Sequence, residues 1–276
     1  MIPYVYLFGQ SHGGSTVLAF LANAHPEILS VGEVSRLGEL LPDRWLRKTD
    51  RCSCGQAFYH CLFWNRALAG LAARGHGLSA TDPFDYPRGE RRPAERRLLA
   101  LVEAMLDITG KRVFFDASKT VSYVPVVAKN PLFRVSFVDL YRDGRGVVTS
   151  WLNRASDKQP ERVIRSWVEL ERQRQKALAR LDPASVLRIR YEELAAAPRD
   201  VLRRFFAFLG VGTDVDATVG FKSKVEHHII GNQMRLNSQE TIVLDEKWRA
   251  TWTPELDRAF EKSGAAAINR HYGYVD

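Results

Sequence analysis

Short apolar runs punctuate the chain at residues 4–8, 113–115, 135–140 and 186–189. Runs of this length read as buried strands. Between them the apolar spacing becomes helical, as at 15–24, where Val17, Leu18, Phe20 and Leu21 share one face. The same spacing predicts helices over 93–108, 146–153, 160–181 and 198–209, with a last one from residue 254. Pro93, Pro160 and Pro198 stand at the first helical turn, where the missing proline N–H is not needed. Strands that alternate with helices predict an α/β fold in layers around a mostly parallel sheet. Residues 42–92 are less regular. With no repeat and no low-complexity linker, residues 1–276 read as a single domain with an irregular insertion around 42–92.

Composition narrows the class without naming a function. With 45% hydrophobic and 26% charged residues, the chain is neither disordered nor collagen-like. It has no run of about 18 apolar residues, so no membrane span is expected. The N-terminus enters the first strand without a basic stretch and apolar segment, so no signal peptide is read and a cytoplasmic location is expected. Three cysteines are an odd number and argue against a disulfide framework. Cys52, Cys54 and Cys61 invite a zinc reading with neighbouring His60 as fourth ligand. Their spacing lacks the usual paired pattern, so free thiols and no metal site are expected.

Charge changes the picture more. The net charge is +8, and 30 arginines outnumber 10 lysines. Arginine's planar fork grips phosphate and carboxylate, so the excess reads either as an anionic partner or as solvated arginine on helix faces. The charge run 88–97 likewise reads as a solvated loop entering a helix or as a substrate-facing patch.

After the first strand comes Gly9-Gln10-Ser11-His12-Gly13-Gly14-Ser15-Thr16 and then a helix. Strand, glycine-rich turn and helix make a phosphate cradle, because the first helical amides and the helix dipole face the anion. The triphosphatase version requires lysine where this chain has Ser15, so an ATP or GTP hydrolase is disfavoured while an anion pocket is kept. A second cluster, Arg142-Asp143-Gly144-Arg145 with Ser150 in the next helix, falls at the carboxyl end of a predicted strand. Ligands bind there in open α/β sheets.

In these motifs the chain resembles the sulfotransferases that use 3′-phosphoadenosine 5′-phosphosulfate (PAPS), in the style of the bacterial and protein-tyrosine branches. Residues 9–16 resemble the family's 5′-phosphosulfate loop, and Arg142 to Arg145 with Ser150 its 3′-phosphate motif. Arg190-Tyr191-Glu192-Glu193-Leu194, with Pro198 and Phe208-Leu209-Gly210, resembles a third family stretch. The resemblance implies a three-layer α/β/α fold like that of the P-loop nucleoside-triphosphate hydrolases. It places Ser11, His12, Gly13, Gly14, Ser15 and Thr16 on the 5′ side of the cofactor and Arg142 and Ser150 on the 3′-phosphate. Tyr191 matches a cofactor-contacting tyrosine, and Arg235, in a late polar loop, a second 3′-phosphate contact. Lys119 matches a lysine that stabilises the transferring group, and Glu33 matches a catalytic base. His12 departs from the family's usual arginine.

Sulfuryl transfer asks for positioning and charge stabilisation. Glu33 is assigned as general base, with His12 as the alternative, and Lys119 as the stabilising cation with His12 assisting. The expected reaction carries sulfuryl from PAPS to a hydroxyl of a small molecule, carbohydrate or natural product, leaving 3′-phosphoadenosine 5′-phosphate (PAP). A P-loop small-molecule kinase is the alternative. No nucleic-acid partner is expected, because the arginines are dispersed, and a homodimer stays open. His227 and His228 read as solvated.

Overall fold

The structure, a computed structural model, describes residues 1–40, 51–77, 91–154, 159–216, 221, 226–236 and 242–275, apart from the side chains of 39 and 91–93. Part of the irregular insertion (42–50 and 78–90), and with it residues 88–90 of the charge run, lies outside the described residues.

Five strands form one sheet: β1 (Ile2–Phe8), β2 (Ile28–Ser30), β3 (Val113–Asp116), β4 (Phe133–Tyr141) and β5 (Val186–Arg190). Their order is β2-β3-β1-β4-β5, and every pairing is parallel. Helix α1 (Ser15–Ala24) follows β1. Helices α2 (Leu62–Ala73) and α3 (Arg91–Thr109) lie between β2 and β3, and α4 (Val124–Ala128) precedes β4. After β4 come α5 (Gly144–Leu152) and α6 (Pro160–Leu178). After β5 come α7 (Tyr191–Ala196), α8 (Pro198–Leu209), α9 (Pro254–Lys262) and α10 (Ala265–His271).

The period-2 alternation of β1 builds the layers. Tyr4, Tyr6 and Phe8 face one cluster with Trp64 of α2 and Leu98 and Met105 of α3. Val5 and Leu7 face the opposite cluster with Leu18 and Leu21 of α1 and Phe205 and Phe206 of α8. A third cluster joins α5, α6, α9 and α10 around Trp167. The result is the expected α/β/α arrangement of helices over both faces of a parallel sheet. Among the described residues, no helix is long and apolar enough to cross a membrane.

The strand order fixes where a ligand can sit. From β1 the chain moves outward to β2, returns to β3 beside β1, and then crosses to β4 on the other side. The loops after β1 and β4 therefore open a crevice between them at the carboxyl ends of the strands.

Candidate active site

Helix α1 begins at Gly14 with φ 91°, and no side chain caps its first turn. No acidic residue stands in that turn either, so the amides of Ser15 and Thr16 keep their donors for an anion. Glycine is required at position 14 twice over. The left-handed φ penalises a Cβ, and a Cβ there would sit 2.5 Å from Cδ2 of Tyr191.

Beyond this turn lies a cavity of 460 Å³. Of the expected site residues, His12, Gly14, Ser15, Thr16, Arg142, Ser150 and Tyr191 all line it. Three residues expected on the cofactor fall elsewhere. Ser11 is exposed, and its carbonyl accepts from Trp151 Nε1 at 3.2 Å. Gly13 is buried in the turn, donating to the Gln10 carbonyl at 3.0 Å. Arg235 is buried and donates to the Arg51 carbonyl, while Asn232 and Met234 of its segment reach the cavity.

Arg142 works here as a clamp. Its guanidinium donates to the His12 carbonyl at 2.7 Å and to the Asp245 carbonyl and carboxylate at 2.6 and 3.1 Å. It also lies 4.5 Å from the ring centre of Tyr191. The Tyr191 hydroxyl accepts from the Asp245 amide at 3.1 Å and donates to the Val243 carbonyl at 3.4 Å. Tyr191 thus packs on Gly14, lies under Arg142 and pins the 243–245 strap over the cavity. Arg145, the second arginine of the motif, turns away to pair with Asp143 at 2.9 Å and stack on Trp248. Asp143 in turn caps α5, accepting from the Arg145 amide.

A narrow crevice of about 10 Å³ shares Ser15 and Thr16 with the cavity and is lined by Glu33, Lys119 and Gly231. That is room for about one water. Lys119 donates to Glu33 Oε1 and to the Ala117 carbonyl, both at 2.8 Å, and Arg36 donates to Glu33 Oε2 at 3.1 Å. Burial pushes the Glu33 pKa up, but the Lys119 and Arg36 cations outweigh it and hold the carboxyl below the usual glutamate value. Glu33 is therefore an ionised, buried carboxylate at neutral pH.

A buried network places this pair. Asp116, at the end of β3, accepts from the Tyr4 hydroxyl at 2.6 Å and from the Ser118 amide at 2.9 Å. Ser118 Oγ donates to Asp116 and accepts from the Ser35 amide at 2.9 Å, tying the Lys119 loop to the Glu33 loop. Complete burial raises the Asp116 pKa to about 6. The crevice's far wall docks through Gly32, where a Cβ would meet the Ile229 carbonyl at 2.3 Å.

His12 is pushed down from 6.5 to about 4, first by burial and then by the Arg154, Arg142 and Lys119 cations, with Asp245 opposing them. Among the described residues, His12, Lys119 and Ile230 alone combine a side chain with positive φ, at 70°, 65° and 56°. All three line the cavity or the crevice, so the uncommon backbone geometry concentrates where the candidate chemistry lies.

Several residues here had no sequence signal. Asp245, Lys247 and Phe221 line the cavity from segments without a motif, and Asn232 lines it from the late polar loop in which Arg235 alone was singled out. The two late histidines, read as solvated, are packed instead. His228 is 2% exposed and stacks on Phe20 at 4.1 Å, and His227 stacks on Phe63 at 4.7 Å. Cys52, Cys54 and Cys61 form no disulfide and converge on His227. His60 is exposed and outside that cluster.

Comparisons with known proteins give the family and the fold. The model of the Sulfotransferase family matches residues 3–215. Among curated proteins, no relative matches the sequence. Solved structures share the fold at low identity. The sulfotransferase domain of the Synechococcus PCC 7002 olefin synthase is 19% identical with a TM-score of 0.60, covering 94% of each chain. The sulfotransferase domain from the curacin biosynthetic pathway is 17% identical with a TM-score of 0.56, covering 95% of this chain and 97% of its own. A mouse sulfotransferase complexed with PAP is 14% identical with a TM-score of 0.52, covering 95% of this chain and 82% of its own.

Proposed function

Because the chain belongs to the sulfotransferase family, we propose that it transfers the sulfuryl group of PAPS to a hydroxyl of a small molecule, carbohydrate or natural product. The observation that carries this reading is the meeting of two spaces across one helical turn. A cavity of nucleotide size lies on one side of Ser15 and Thr16, and a crevice holding a carboxylate and a lysine lies on the other.

The roles follow from position. The amides of Ser15 and Thr16 hold the 5′ anion at the helix N-terminus. Arg142, Ser150 and Lys247 supply the polar wall for the 3′-phosphate, and Phe221, Met234 and Ile242 supply an apolar wall suited to a purine. Glu33 takes the acceptor proton as the acceptor oxygen bonds to sulfur and the bond from sulfur to the bridging oxygen breaks, so that oxygen leaves with PAP. Lys119 exchanges its bond to Glu33 for the sulfonate and bridging oxygens, where charge develops, and His12 assists from the loop. The crevice admits little more than the reacting hydroxyl, so the rest of the acceptor lies outside it. That Cys52, Cys54 and Cys61 form no disulfide suits a reducing, cytoplasmic setting.

The test is transfer of ³⁵S from labelled PAPS to a panel of phenols, alcohols and oligosaccharides. Labelled ester with equimolar PAP is expected. Glu33→Gln should lower turnover about 100-fold, the scale of a lost general base, while PAP affinity changes less than about threefold. Transfer of the γ-phosphate of ATP to the same panel, with no ³⁵S transfer, would show a kinase instead.

A further inference from the structure

The cysteines of the insertion serve no step above, yet they are assembled with care. Cys52 and Cys61 are fully buried, and Cys54 and His227 are partly buried. Cys61 Sγ lies 3.7 Å from the sulfurs of both Cys52 and Cys54. His227 Nδ1 lies 3.3 Å from Cys61 Sγ and 3.6 Å from Cys52 Sγ. All four ligand atoms fall within 4.8 Å of one another.

These spacings match one coordination geometry. A tetrahedron with Zn–S bonds of about 2.3 Å and a Zn–N bond of about 2.0 Å has S···S edges of about 3.8 Å and S···N edges of about 3.5 Å. A disulfide would bring two sulfurs to about 2.05 Å. Four protein ligands leave no open position, which is the form of a structural rather than a catalytic site.

The surroundings hold the donors in place without a metal. Gly55, at φ 88°, closes a tight turn in which the Cys52 amide donates to the Gln56 carbonyl and the Gly55 amide to the Cys52 carbonyl, both at 2.9 Å. Cys61 is the N-cap of α2, where the helix dipole favours a thiolate. His227 is oriented by its stack on Phe63, with rings inclined by 4°, and by Trp64 Nε1 donating to its carbonyl at 3.1 Å. Such outer contacts fix ligand direction at metal sites.

We propose that Cys52, Cys54, Cys61 and His227 bind one structural zinc ion, as three thiolates and a neutral imidazole. The ion staples the cysteine turn to a segment more than 160 residues later in the chain. That segment continues into the wall of the crevice. The Ile229 amide donates to the Val31 carbonyl at 2.9 Å, and Gly231 stands against Glu33. Zinc is thereby a remote support for the position of Glu33, outside the chemistry itself.

The test is metal analysis of the untagged, full-length protein by inductively coupled plasma mass spectrometry, with X-ray absorption at the zinc edge. About one zinc per chain is expected, with three sulfurs near 2.3 Å and one nitrogen near 2.0 Å. Zinc should fall below about 0.2 per chain in Cys61→Ser and persist in His227→Cys, which restores a fourth soft ligand. Wild-type protein with less than about 0.2 zinc per chain, with iron in its place, or with a first shell of oxygen and nitrogen would overturn the proposal. Because the wild-type measurement decides by itself, a variant that fails to fold leaves the proposal open to refutation.

Discussion

At His12 three cations crowd one half-buried imidazole. Burial, Arg154, Arg142 and Lys119 bring its pKa to about 4, so the ring is neutral at physiological pH in the free protein. The unfolded chain, with an ordinary histidine, binds that proton more tightly. This residue therefore withdraws stability as pH falls from 6.5 toward about 4. A bound polyanion reverses the local balance. NMR titration of the His12 ring should give a midpoint near 4 in the free protein and a clear rise with PAP bound; a midpoint near 6.5 that PAP leaves unmoved would remove His12 from the anion's field. His12, Glu33 and Lys119 stand out in the sequence because the family resemblance covers the short stretches that hold them. Asp245 and Lys247 were not, because they reach the cavity on a strap whose path is set by Tyr191 and Arg142. Arg235 shows the opposite failure. Its residue type and loop suited a phosphate, but the fold turns it inward to the Arg51 carbonyl.

Among the elements, β1, β3, β4 and β5 announced themselves as apolar runs, and α1, α3, α6 and α8 by their apolar period. Of the elements the pattern does not announce, two are hidden for plain physical reasons. β2 is three residues long, too short for a periodic pattern, and depends on pairing with β3 for its existence. α2 lies within a stretch whose glycines and cysteines broke the pattern, and it is stabilised by packing Trp64, Ala67 and Leu71 into the main cluster. α5 begins at Gly144, two residues before the predicted start, because Asp143 caps it and Asn269 accepts from the Gly144 amide at 2.8 Å. At this scale the strap is the mechanical part. Tyr191→Phe keeps the ring on Gly14 and under Arg142 but removes the hydroxyl that binds Val243 and Asp245. Loss of a net hydrogen bond of about 0.5–1.5 kcal/mol should raise the PAP dissociation constant about 2- to 10-fold, with turnover at saturation within about twofold. An unchanged dissociation constant in calorimetry would mean that Tyr191 does not hold the strap.

For the whole molecule, the sheet order explains why chemistry gathers at one place. The reversal between β1 and β4 opens the crevice, and the residues that touch it come from chain positions as distant as 12 and 247. The positive excess divides along the same line. Many arginines pair with acidic neighbours on exposed faces, as Arg74 with Asp107, Arg204 with Glu193 and Arg258 with Glu255, and such pairs contribute little. The cations that matter for an anionic ligand are the buried Arg142 and the partly buried Lys119, with Lys247 at the cavity wall. The central claim is that this cavity is built for a nucleotide carrying a 3′-phosphate. Calorimetric titration of the wild-type protein with PAP and with AMP, which lacks only that phosphate, tests it directly. Binding of PAP at least about 30-fold tighter than AMP is predicted, the scale of a charge-assisted hydrogen bond, with the ratio falling to about threefold or less in Arg142→Ala. Equal affinity of the wild-type protein for PAP and AMP would contradict the account.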